Sequence, residues 1–304
     1  MGKDVKKRLL YFDNLKGFAI LLVVLGHCIQ QCDTEGNYQF LYRLIYAFHM
    51  PLFMAVSGYF GVKLNVELVP DLKKKFVRLM IPYLAWGGVS LIIHKASLLS
   101  LVVDPDKYLW FLWDLFFISL LVNVVVLLIS KITLKRDYIF KALFLLAMII
   151  LCLGKFLPEN DFNVKSICWM FQFYVAGAAF KEYGEKLKNL KVLGPVMAVI
   201  FVFAVWAQYS FMSQNSLITH VVMMVLAYIG SLACFLLFKS FSNTESIIVE
   251  LGQSTLGVYA IHQSLITMLG INNVWYSFVV VLAISIIIIY FIRSSIYLKF
   301  LIGE

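Results

Sequence analysis

Asp13, Lys16 and His27 place a carboxylate, an amine and an imidazole in or beside the apolar run Leu15–Gln31. At about 100° per residue, the eleven steps from Lys16 to His27 return almost to the starting direction. Both side chains therefore share one helix face, roughly 16 Å apart. Asp13, three residues before Lys16, belongs to the same face. An imidazole at such a place can take a proton from a hydroxyl and return it near neutral pH. The bland alternatives are a histidine satisfied by a neighbouring helix and an interfacial Asp13–Lys16 pair with a snorkelling lysine. Ionisable groups in so apolar a setting cost a few kcal/mol each, so the face is expected to line a bundle interior or a wet cavity.

Further residues of this kind recur along the chain. The segment Phe48–Tyr59 holds His49 next but one to Pro51, which is expected to kink or break its helix, and Ser57-Gly58, which permits a close helix contact. The basic cluster Lys73-Lys74-Lys75, followed by Arg78 and Pro82, fits lipid headgroups or an anionic phosphate ligand, for which arginine has the planar fork. Asp114 follows an aromatic run, Trp110–Trp113, and needs a partner or water about a turn inside its helix. Tyr259 and His262 are three apart and share a face, whereas His94 and His220 have no such company.

These residues are carried by a chain that is 62% hydrophobic and 14% charged, with mean hydropathy +0.88. Soluble domains are near 45–50% apolar, so the composition specifies an integral membrane protein. Runs of about 20 apolar residues have the length to cross hydrocarbon as helices. They fall near 13–31, 40–61, 76–95, 109–130, 138–157, 164–182, 191–211, 217–239, 254–270 and 273–292. The expected architecture is all-α, one polytopic membrane domain of about ten helices spanning residues 1–304, with no repeat or low-complexity tract.

A formal charge of +9 suggests nucleic acid at first sight, but the basic residues sit in short connections between apolar runs. With a cytoplasmic amino terminus, all but five of the 26 (Arg43, Lys95, Lys107, Lys155 and Lys165) fall on the cytoplasmic side. That bias follows the positive-inside rule, puts both termini in the cytoplasm and excludes a nucleic-acid partner as its explanation. The five cysteines show no paired spacing for zinc or redox chemistry and read as small buried hydrophobes; no metal is expected. The first run lacks a small-residue cleavage site and reads as a retained helix rather than a signal peptide.

Taken in order, the motifs resemble the acyltransferase 3 family of membrane O-acyltransferases, in particular its fucose 4-O-acetylase-like branch. Phe12-Asp13-Asn14-Leu15-Lys16-Gly17 through Gly26-His27 is similar to the family's basic residue, ten spacers and histidine. Phe48–Tyr59, Lys75-x-x-Arg78-Leu79-x-x-Pro82-Tyr83, Trp110-Phe111-Leu112 and Ser254–His262 resemble later signatures across nearly the full length. Lys16 stands where many members have arginine and loses bidentate geometry; Gln263 stands where related sequences often have proline.

The resemblance implies an acyl donor such as acetyl-CoA reached from the cytoplasm and transfer to a hydroxyl of a carbohydrate acceptor, a polysaccharide, oligosaccharide or lipid-linked sugar. It implies a multi-pass protein of the cell (inner or plasma) membrane that O-acetylates a cell-surface glycan. His27 would be the general base, preferred over an acyl carrier because it needs no additional intermediate. His49 and Asp114 would orient base or acceptor, Lys16, Lys75 and Arg78 would hold the anionic donor, and Asp13, Ser57, Tyr259 and His262 would line the site. Succinyl transfer is the variant within this class. Outside it stand a small-solute transporter, which the proline-interrupted second helix also fits, and a non-catalytic scaffold, which has no reason to bear so many buried ionisable groups.

Overall fold

A computed structural model of the protein describes residues 9–63, 67–105, 109–133, 135–157, 161–184, 190–211, 217–241 and 247–304. Lys3, Lys6, Lys7, Arg8, Lys107, Lys186 and Lys188 of the charge pattern lie outside the described residues. Among the described residues the regular elements are helices and no strand occurs. Apolar surroundings dictate this, because a helix satisfies its backbone polar groups within one segment.

The helices are α1 (Leu10–Cys32), α2 (Gln39–Tyr46), α3 (His49–Gly61), α4 (Leu68–Lys75), α5 (Ile81–His94), α6 (Ser100–Val103), α7 (Trp110–Ser130) and α8 (Arg136–Gly154). After them come α9 (Val164–Tyr183), α10 (Leu190–Phe211), α11 (Leu217–Phe241), α12 (Ile247–Gln253), α13 (Thr255–Leu269) and α14 (Val274–Ser294). Among the described residues eight stretches are long and apolar enough to cross a membrane: α1, α2 with α3, α4 through α5, α7, α8, α10, α11 and α14. The sequence-based count of about ten also included α9 and α13, which differ physically. At 15 residues α13 reaches only about 22 Å, and the 20-residue α9, packed against α3, α7 and α8, is less apolar because it carries Lys165, Gln172, Lys181 and Glu182.

α1 is the hub. It packs against α2, α3, α11, α12, α13 and α14, and 72% of its most apolar window is buried, against 22% for α10. The periphery is apolar and exposed: Leu145 and Leu153 on α8, Val199 and Phe203 on α10, Tyr290 and Phe291 on α14. That inversion, with apolar side chains outward and polar ones inward, is the surface expected of a chain solvated by lipid.

Two breaks position the site. Pro51 is expected to interrupt its helix, and the interruption falls before it, at Ala47-Phe48. At the third position of α3 the missing N–H costs nothing, and the backbone departs from the helix at Phe48 (φ −145°) while Ala47 keeps helical angles. Pro82 likewise cannot donate to the Arg78 carbonyl, and the preceding segment Phe76–Met80 adopts a π turn in which the Ile81 amide bonds to Phe76 O. The α3–α9 contact is set by Gly58, where a Cβ would lie 1.9 Å from the Tyr174 carbonyl oxygen.

Candidate active site

Three histidines from three helices converge. His27, half-buried near the end of α1, lies with its ring centroid 5.1 Å from that of the fully buried His262 on α13. His49 opens α3, and the Tyr46 ring sits beside it at 4.8 Å and 6.3 Å from the His27 ring. The helix break at Phe48 lies between the two rings, and across it Tyr46 and His49 stand side by side.

The hydrogen bonds assign the tautomers of two rings. His49 Nδ1 donates to Ile45 O at 2.8 Å, and His262 Nδ1 donates to Tyr259 O at 2.8 Å and Val258 O at 3.0 Å. Carbonyl oxygens only accept, so each Nδ1 carries the hydrogen and each Nε2 keeps a lone pair in the neutral ring. His262 Nε2 is buried without a hydrogen-bond partner among the described residues. Gln30, one turn after His27, accepts through Oε1 from the Tyr46 hydroxyl at 2.9 Å.

Beside the cluster is a cavity of about 230 Å³ walled by His27, His49, Tyr46, Trp110, Trp169 and Tyr259. The Tyr259 hydroxyl accepts from the Phe111 amide at 3.2 Å, satisfying one of the first-turn N–H groups that α7 cannot bond internally. Asp114 is fully buried and accepts from Asn163 Nδ2 at 2.7 Å and Ser166 Oγ at 2.6 Å. It stands one turn below Trp110, and Ser166 stands one turn before Trp169. The carboxylate thus clasps together the two helices that supply the cavity's tryptophans and does not itself line the cavity.

At the other end of α1, Lys16 Nζ is 2.7 Å from Asp13 Oδ1, and Asp13 is buried. Lys75 and Arg78 do not converge. Lys75 Nζ donates to Ser119 O on α7 at 3.3 Å, while Arg78 lines a separate cavity of about 490 Å³ with Arg293 and Glu304. The π turn between the two basic residues separates faces that an α-helix would have aligned. Ser57 is half-buried next to Gly58 at the α3–α9 crossing and does not line the histidine cavity.

His27, His49, Tyr259 and His262 are therefore brought together, with Asp114 behind the cavity wall and the basic residues at the far end. Sequence reasoning missed Gln30, Tyr46 and Trp169. Gln30 and Tyr46 stood one helical turn from His27 and His49, a usable signal; Trp169 had none. Four of the cysteines are buried and Cys152 is exposed; all five are free.

Apolar helices closed around a histidine cluster and an adjoining cavity define a multi-pass membrane protein with a polar interior site. The acyltransferase 3 profile, described as an acyltransferase domain, matches residues 9–294, and the chain belongs to that family. It is a membrane acyltransferase. The chain is 26% identical to the nodulation protein NolL of Sinorhizobium fredii (strain NBRC 101917 / NGR234) over 292 residues, covering 82% of this chain and 76% of that protein. It is 25% identical to the nodulation protein NolL of Mesorhizobium japonicum (strain LMG 29417 / CECT 9101 / MAFF 303099) over 326 residues, covering 92% and 84%. No solved structure matches the chain.

Proposed function

We propose that the protein transfers an acetyl or similarly short acyl group from acetyl-CoA to a hydroxyl of a carbohydrate at the cell surface. The whole chain acts as one membrane domain of the fucose 4-O-acetylase-like type, in the cell membrane with both termini cytoplasmic. One observation carries the reading: a half-buried histidine, His27, opens onto a cavity with two tryptophans and is flanked by two imidazoles whose Nε2 atoms keep lone pairs. Aromatic faces suit the C–H faces of a sugar, and neutral imidazoles suit proton transfer.

In the neutral ring one His27 nitrogen keeps a lone pair, and that nitrogen is the base. His27 removes the acceptor hydroxyl proton as the oxygen attacks the thioester carbonyl. The new C–O bond replaces the C–S bond, and the proton passes from the imidazolium to the departing thiolate. His49 and Tyr46 orient the acceptor, Tyr259 fixes the wall, and Asp114 fixes the spacing of the tryptophans. Lys16, held by Asp13, together with Lys75 and Arg78, supplies positive charge at the cytoplasmic end, where the anionic donor enters.

Purified His27→Ala in proteoliposomes, supplied with acetyl-CoA and the surface glycans of the host cell, tests this. Thiol release and the acyl mass on glycan are expected to fall by roughly 10²- to 10⁴-fold. A wild-type rate would remove His27 from the mechanism.

A further inference from the structure

The second cavity holds two guanidinium groups and one carboxylate. Arg293, in the last turn of α14, is fixed on several sides: Nη1 donates to Ser254 Oγ at 2.8 Å and Nη2 to Gln253 O at 3.1 Å. Its outer edge grips the Glu304 carboxylate, with Nε 3.0 Å from Oε1 and 3.1 Å from Oε2, and with Nη2 also donating to Oε1. Arg78 opens onto the same space and makes no hydrogen bond or ion pair among the described residues. The cavity therefore leaves the Arg78 guanidinium facing open space and has room, about 490 Å³, beyond what the Glu304 side chain fills.

The chain delivers that carboxylate by a specific route. Ile302 is buried as an anchor, and Gly303 turns the chain at φ +72° directly over the Arg78 carbonyl, where a Cβ would come within 2.6 Å of the oxygen. Beyond this hinge the Glu304 amide bonds to Lys299 O at 3.1 Å while its side-chain carboxylate is held by Arg293, and both side chains are about one-third exposed. An exposed pair of this kind contributes little stability and is readily exchanged. Carboxylates and phosphates engage an arginine fork in the same bidentate manner, and phosphate carries more charge for the free Arg78 to meet.

We propose that Arg293, with Arg78, forms a phosphate-ester subsite and that the Glu304 carboxylate is its displaceable internal occupant. The ligand is the phosphorylated part of the acyl donor or a phospholipid headgroup, which present the same chemistry. The first source rests on the acyl-CoA reading above; the subsite itself does not.

The test uses the full chain in nanodiscs of phosphatidylcholine, titrated with adenosine 3′,5′-bisphosphate, and in parallel discs containing phosphatidylglycerol, whose retention is read by native mass spectrometry. Glu304→Gln is expected to tighten the favoured ligand by roughly 3- to 10-fold, and Arg293→Gln to weaken it by roughly 10- to 100-fold. Arg293→Lys, which keeps the charge but loses the fork, is expected to fall between them. A response of the nucleotide supports the subsite and assigns it to the donor. If only the lipid responds, the subsite stands as a headgroup site. Glu304→Gln folds regardless, because it loses only an exposed pair, so unchanged affinity for both ligands in that variant overturns the proposal. His27→Ala should bind nucleotide as the parent does; loss of transfer with binding retained separates failure of the subsite from failure of the acyl-transfer reading.

Discussion

The rings of His27 and His262 lie 5.1 Å apart although one belongs to the first long helix and the other to the penultimate one, and the buried His262 Nε2 has no partner among the described residues. An orphaned acceptor costs about 1–3 kcal/mol, so its retention beside the proposed base points to use during the reaction. His262→Leu is expected to lower kcat by roughly 10- to 100-fold while leaving Tm unchanged or slightly raised. Acyl-transfer kinetics across pH, beside a melting curve, check this. A space-filling role would leave kcat and its pH profile untouched.

Asp114 is expected to act through the tryptophans it spaces. In Asp114→Asn an amide faces the Asn163 amide and the Ser166 hydroxyl, which breaks the charge-assisted clasp and costs about 1–3 kcal/mol. The α7–α9 wall loosens, so KM for the acceptor rises several-fold while kcat falls little. An unchanged acceptor KM at lowered Tm would reduce the clasp to pure structure.

The α3–α9 crossing tolerates no side chain. Gly58→Val would drive a branched side chain into the Tyr174 carbonyl, and Gly177→Val would do the same at the Ala55 carbonyl, 1.8 Å from the added Cβ. Backbone cannot yield as a flexible side chain can, so loss of monodisperse protein on size-exclusion chromatography is expected for both. Gly88→Ala, with nothing within 4 Å of the added carbon, is the silent control.

Lys16→Ala removes a cation 2.7 Å from a buried carboxylate and is expected to lower Tm by a few degrees. Lys16→Arg should restore most of it, because one ion pair at the end of α1 does not require the lysine shape. Pairing Lys16→Ala with Asp13→Asn should cost less than the sum of the single changes, because the carboxylate that loses its cation is then gone as well. Additive losses would show that the two residues act independently.

Much of this site is legible from spacing within single helices. The Lys16–His27 face, the placement of His49 beside a proline break and the Tyr259–His262 pair follow from helical periodicity alone. What eludes sequence reasoning depends on juxtaposition between helices. Trp169 carries no charge and has no regular spacing to another site residue, yet it forms a wall because Asp114 draws α9 onto α7. Arg293 and Glu304 meet only through a turn at Gly303, and Lys75 and Arg78 diverge because Pro82 is accommodated by a π turn. The break near Pro51 is offset to Phe48 because a proline in the first turn of a helix is tolerated, so the interruption falls ahead of it.

The distribution of the three histidines has a consequence for biogenesis. His27 enters the membrane with the first helix, whereas its neighbour on α13 follows only after nearly the whole chain has been made, on the order of 10–50 s later at ordinary elongation rates. For that interval a polar imidazole must be sheltered by the insertion machinery or by a provisional arrangement of the early helices. Ribosome-bound chains stalled before α13 should therefore leave His27 more reactive toward imidazole-modifying reagents than it is in the finished protein.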